Sequence, residues 1–178
     1  QRTLQGLSQR IADIAHEAES IGQLRSGDVV LDIGGNDGTL LKQYQTEGLK
    51  LCNVDPSDVA RSGAEGVNTC VGYFSSDLFD VWPWMDTHPP KVITAIACLY
   101  DLNAPHTFLA DVKKVLAPDG IFVVQMSTLK AMIDNGGYDV ICHEHVLTWS
   151  TATLNACLVQ HDLAIQSVGA WTVERGWT

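Results

Sequence analysis

The sequence predicts an α/β fold built on a doubly wound, mostly parallel sheet with helices on both faces, on three observations. Strand-length apolar runs alternate with helical-period or turn-rich segments five times between Val29 and Gln125. Residues 92–99 form an almost unbroken apolar run, the pattern of a strand buried on both faces. Val29-Val30-Leu31-Asp32-Ile33 runs straight into Gly34-Gly35-Asn36-Asp37-Gly38, which reads as a buried strand, a tight turn and the start of a helix.

Taken in order, Leu4, Leu7, Ile11, Ile14, Ala18 and Ile21 recur at helical spacing, so residues 1–24 hold one amphipathic helix that packs on a sheet edge. The first strand covers 29–33. A first crossover helix is expected to begin over 39–45, and a second strand follows at 49–54. Asp55-Pro56-Ser57 ends that strand, because proline stops a ladder and can open a helix. Residues 67–71 form a third strand, with Gly72-Tyr73-Phe74 at its exit, and 75–79 a short helix. Trp82-Pro83-Trp84 lies in a loop over 81–90 and more naturally covers a sheet end than stacks on a ligand. The fourth strand is 92–99. Phe108, Val112, Val115 and Leu116 form the inner face of a helix over 105–116, and 121–125 the fifth strand. Helices are expected at 129–133 and 151–160. Two closing strands, 163–168 and 172–175, bring the expected sheet to seven.

The 178 residues suffice for one globular domain with a sizeable core. A formal net charge of −10 argues against nucleic acid or an anionic membrane as partner, since both reward clustered Lys and Arg. Five scattered cysteines without a C-x-x-C pair fit reduced thiols, and no apolar run reaches membrane-spanning length, so a cytoplasmic location is expected. The start at Gln1, not Met, suggests a domain excised from a longer chain.

In open parallel sheets a ligand lies outside the carboxyl ends of the strands. Asp32 to Gly38 and Asp55 both fall at such ends, and a carboxylate at Asp55 suits a ribose diol because it accepts from both hydroxyls. The turn carries Gly34, Gly35 and Gly38 but lacks the third glycine of the dinucleotide fingerprint, with Asn36 in the middle, so nicotinamide-dependent oxidoreduction is disfavoured. Phe74 and Ala97, at later strand exits, are placed on the adenine side. A second constellation is His143-Glu144-His145. As a metal site it lacks a third ligand, and no metal is expected; as hydrogen-bonded loop histidines it is structural; as general acid/base chemistry it marks a substrate pocket.

The acidic-x-Gly turn from Asp32 to Gly38, with the acidic end of the second strand at Asp55, resembles the class I S-adenosylmethionine-dependent methyltransferases and their Rossmann-like fold. Asp32 to Leu41, Val54 to Ser57, and Tyr138-Asp139 through His145 together look like the sugar C-methyltransferases of deoxysugar biosynthesis. The resemblance implies S-adenosylmethionine as cofactor, held by Asp32, Gly34, Gly35, Asn36, Gly38, Asp55, Phe74 and Ala97. It implies methyl transfer to a carbon beside a ketone on a nucleotide-linked sugar, a small-molecule substrate, with His145 as base and Glu144 in the pocket. His143 is a further candidate, as hydrogen-bond donor to the enolate oxygen. Cys142 stands where a tyrosine is common, and Asp101 where a histidine is common, which leaves the acceptor open. Methylation of oxygen or nitrogen, and a cofactor-binding domain inactive without partner domains, are the alternatives.

Overall fold

A computed structural model describes residues 2–137 and 141–169 of the chain. Its helices are α1 (Arg2–Gly22), α2 (Leu78–Val81), α3 (Pro105–Val115), α4 (Leu129–Asn135) and α5 (Thr151–Val159). Its strands are β1 (Val29–Ile33), β2 (Lys50–Asp55), β3 (Val67–Val71), β4 (Val92–Ile96) and β5 (Ile121–Gln125), ordered β3-β2-β1-β4-β5 in one sheet. Every pairing is parallel. The chain moves outward from β1 to β3 and then crosses to the other side of β1, so the topological switch point lies between β1 and β4.

Alternation along the central strands sorts the core into two layers. Val29, Leu31 and Ile33, with Cys52, Val54, Ile93 and Ala95, meet Phe108, Leu109, Val112 and Val115 of α3. On the other face, Val30 and Val92 meet Ala18 of α1, Leu24 and Leu41, with Ile14, Ala15 and Leu40 alongside. The small residues Ala15 and Ala18 let α1 lie close over β4 and β5. Each fully buried Leu or Ile in these layers is worth about 1.5–3 kcal/mol, so the sheet centre is the rigid part that carries the loops.

Two helix caps frame the segment bearing His145. Gly136, in the left-handed region at φ 59°, follows the end of α4. The Ser150 side chain accepts from the backbone N–H of Thr153, and Thr153 Oγ1 reciprocates at Ser150 N–H, a capping box that fixes the start of α5.

Three expectations change. The described residues form five strands, not seven. Residues 163–168 make no ladder with the described residues; Leu163 and Ile165 pack half-buried against the core that α3 joins instead. The second closing strand, 172–175, lies outside the described residues. The first crossover is a single 3₁₀ turn, Leu41–Gln43, followed by an extended Tyr44. Glu19 of α1 accepts from the backbone N–H of Gln45 at 3.2 Å and of Thr46 at 2.5 Å, so donors that would extend a helix go to a side chain. The polypeptide after Pro56 likewise closes as a 3₁₀ turn, Val59–Ser62, rather than a longer helix. Trp82 joins the α3 core, and the Lys50 ammonium lies 5.1 Å over the Trp84 ring at the amino end of β2, away from the strand carboxyl ends.

Candidate active site

The glycine turn is held from below by β2. Asn36 sits in the left-handed region at φ 51°, which asparagine tolerates better than most residues. Both of its main-chain groups are clasped by side chains two positions apart on β2. Asp55 Oδ2 accepts from the Asn36 N–H at 2.9 Å, and Asn53 Nδ2 donates to the Asn36 carbonyl at 3.0 Å. Asp55 Oδ1 accepts from the Ser57 N–H at 2.7 Å, which joins the β2 exit to the same clasp. Burial opposes the charge on Asp55, but the hydrogen bonds from Ser57 and Asn36 outweigh it and hold the carboxyl below its ordinary value.

Asp32 lies beneath this turn rather than on the crevice wall, 2% exposed. Its Oδ1 accepts from Thr94 Oγ1 at 2.5 Å. Burial pushes its carboxyl up to about 7 against the Thr94 hydrogen bond, with the nearby charge of Asp55 adding to the rise. Gly35 crosses directly above: a Cβ there would fall 2.5 Å from both Asp32 Oδ2 and Asn53 Oδ1. Gly34, at φ 74°, is exposed beside Cys98, whose side chain would meet a Gly34 Cβ at 3.5 Å. Gly38, at φ 78°, is buried against Ala64. Ala97 is exposed at φ 55° and donates its N–H to the Gln125 carbonyl at 2.8 Å. Gly34 and Ala97 thus face the crevice at the switch point. Phe74 is half-buried, its ring edge-on to Phe108 with centroids 5.4 Å apart.

The second constellation splits. His143 and Glu144 form a turn, with side chains 92% and 74% exposed and 3.9 Å apart. The segment is not extended, because His145 N–H closes back on the Cys142 carbonyl at 3.3 Å. His145 is half-buried, its ring tilted on Tyr100 with centroids 4.3 Å apart, in a cleft lined also by Ser127, Met132, Leu147 and Thr148. Leu147 N–H donates to the Tyr100 carbonyl at 2.9 Å and ties the segment to the β4 exit. Burial raises the Asp101 carboxyl while the neighbouring His145 opposes it, so Asp101 shares the histidine's surroundings. Among the described residues no group of three or more His, Cys, Asp or Glu is arranged to hold a metal ion.

Sequence reading missed Asn53 and Thr94. The signal for both was a polar residue set inside an apolar strand run, Leu51-Cys52-Asn53-Val54 and Val92-Ile93-Thr94-Ala95.

An open parallel sheet, a glycine turn at its switch point and an acidic residue ending the second strand define a domain that holds a nucleoside-bearing cofactor in the crevice. Residues 4–168 match the family model described as methyltransferase domain, and the chain belongs to that family. It is 29% identical over 161 residues to the C-methyltransferase NovU of Streptomyces niveus, covering 89% of this chain. The chain spans 38% of that relative's length. Among solved structures it is similar in fold to the YcgJ protein from Bacillus subtilis (TM-score 0.69, 19% identity, 90% of this chain and 72% of that one). It is also similar to the plantazolicin methyltransferase BpumL, solved with a pentazolic analogue and S-adenosylhomocysteine (TM-score 0.63, 16% identity, 86% of this chain and 63% of that one). The chain is thus a methyltransferase domain, and the cofactor that its family and fold point to is S-adenosylmethionine. The site fits that cofactor: Gly34 offers bare, exposed main chain at the crevice, and Asp55 keeps an acceptor lone pair on each oxygen beyond its two N–H partners.

Proposed function

We propose that this domain methylates a carbon alpha to a ketone, on a keto nucleotide-sugar, with His145 as the base. One observation carries the reading: residues 97–101 adjoin both halves of the site. Cys98 packs beside Gly34 of the cofactor turn, and two residues on, the Tyr100 ring packs at a tilt against His145. The similarity to a C-methyltransferase supports carbon as the acceptor atom.

When bound, S-adenosylmethionine supplies an electrophilic methyl group that a carbon nucleophile takes up as S-adenosylhomocysteine leaves. Gly34, Gly35, Asn36 and Gly38 would supply the main chain that holds it, and Asp55 would take the ribose hydroxyls. Ala97 and the edge of Phe74 not packed on Phe108 would lie on the adenine side. Asp32 acts from beneath, through the turn. A proton alpha to a ketone is acidic enough for a positioned base to remove. A ring nitrogen of His145 takes that proton, and Tyr100 holds the ring at the cleft. Asp101 lies close by. His143 and Glu144 stand at the outer rim, where they meet the polar part of a large substrate rather than the reacting carbon.

The test is transfer from S-adenosylmethionine carrying a ¹³C methyl to a nucleotide-linked keto sugar, read by carbon NMR. The expected product has the label in a carbon-bound methyl at the position beside the ketone. A label on oxygen or nitrogen would replace this reading with methylation of a heteroatom.

A further inference from the structure

Beneath the glycine turn, four polar side chains form a continuous row across the buried sheet. Register pairs Thr69 with Asn53, Asn53 with Asp32, and Asp32 with Thr94. Register partners in a parallel sheet share a face, so all four side chains lie on the α1 side. Asn53 is 1% exposed. Its Nδ2 is committed to the Asn36 carbonyl, while its Oδ1 is buried without a hydrogen-bond partner. Asp32 Oδ2 and Asn53 Oδ1 converge under the Gly35 α-carbon. Two buried acceptors this near a common point cost free energy unless a donor serves them. Turning the Asn53 amide over would give Asp32 its donor, but it would strip the Asn36 carbonyl of its own and set oxygen against oxygen there. Asn53 can satisfy both neighbours only when the Asp32 carboxyl carries a hydrogen.

We propose that Asn53 is a positioning residue for cofactor binding, its amide joining the Asp32 carboxyl to the main chain of Asn36 and so holding the glycine turn in its binding shape. The inference rests on the cofactor reading of the turn. In the joined state Asp32 Oδ2–H donates to Asn53 Oδ1, and Asn53 Nδ2–H donates to the Asn36 carbonyl. Loss of the Asp32 proton turns the amide toward the carboxylate and releases Asn36. The groups that set this proton face Asp32 from each side. Asp55 on β2 acts on it, and the charge of Asp32 is felt in turn by Cys98 after β4 and by Tyr44 after the first 3₁₀ turn, where Glu19 of α1 adds to it. Thr94 Oγ1 occupies the other carboxyl oxygen throughout.

The experiment has two arms on the intact chain. In the first, the Asn53 side-chain amide is followed by ¹⁵N NMR without ligand from pH 5.5 to 8.5. Its resonances should shift with a midpoint near neutrality in the wild type and stay flat in Asp32→Asn. In the second, S-adenosylhomocysteine is titrated calorimetrically at pH 6 and pH 8.5. Wild-type affinity should fall about fivefold at the higher pH, the size of one hydrogen bond. Asn53→Leu, of similar shape, should bind about fivefold more weakly at pH 6 and lose the pH dependence. An Asn53 amide that does not titrate in the wild type, or an Asn53→Leu protein that keeps the wild-type slope, overturns the proposal. Should Asn53 titrate while S-adenosylhomocysteine binds at neither pH, the cofactor reading falls instead.

Discussion

Replacing Gly35 by alanine is the sharpest perturbation of the site. The added Cβ would stand 2.5 Å from Asp32 Oδ2, 2.5 Å from Asn53 Oδ1 and 2.9 Å from Asp32 Cγ. Ordinary contact begins near 3.4 Å, so each oxygen would have to retreat by about 0.9 Å. Neither can do so cheaply. Asp32 is tied to Thr94 and Asn53 to Asn36, and both side chains are buried. Overpacking of this kind costs about 1–3 kcal/mol, and the two hydrogen bonds at stake place Gly35→Ala near the upper end. Gly72→Ala is the control, because a Cβ at Gly72 meets nothing within 4 Å. Its effect should stay within about 0.5 kcal/mol. Urea unfolding gives the stabilities, and calorimetric titration with S-adenosylhomocysteine gives the affinities. We expect Gly35→Ala to lose roughly 3 kcal/mol and bind at least tenfold more weakly. A Gly35→Ala protein as stable as Gly72→Ala, with wild-type affinity, would refute the packing argument.

The two acidic residues of the site push stability in opposite directions with pH. Asp32 is raised from 3.8 to about 7 on folding, so its contribution is fully present below 3.8, declines as pH rises and is lost above about 7. A rise of that size corresponds to about 4 kcal/mol, so Asp32→Asn should flatten the fall in urea midpoint between pH 4 and 8; an unchanged slope would count against a neutral buried carboxyl. Asp55 is held low, so its contribution is present above its unfolded value and lost as pH falls; Asp55→Asn should narrow the loss of stability in acid, measured on the same urea series.

The strands were the most legible part of the chain. β1, β3 and β5 fall on the residues that their sequence pattern marks, most plainly β1, whose burial along its whole length writes a continuous signal. The crossovers were less legible. The helix expected over 39–45 is undone by Glu19, some 26 residues earlier, and no local pattern announces a side chain that will take backbone donors from another element. Seven strands were expected because 163–168 has strand-like composition, yet Leu163 and Ile165 pack half-buried against the core that α3 joins, without a ladder among the described residues. At the site, Asp32, Asp55 and the glycines could be placed from strand ends alone. The contact of Asn53 with Asn36 depends on the register of β2 against β1, which is set by tertiary packing. His143, Glu144 and His145 were all expected at the substrate pocket. One turn at 143–144 separates them, sending the first two outward and leaving His145 on Tyr100.

The central claim is that His145 removes a proton from the carbon to be methylated. It is tested most directly by exchange of that proton with solvent, followed by proton NMR in D₂O on a nucleotide-linked keto sugar with S-adenosylhomocysteine in the crevice, so that no methyl can be transferred. The wild type should exchange the proton beside the ketone far above the enzyme-free rate. His145→Ala, with its fold checked by circular dichroism, should return to that background. Exchange at the wild-type rate in His145→Ala would contradict the account.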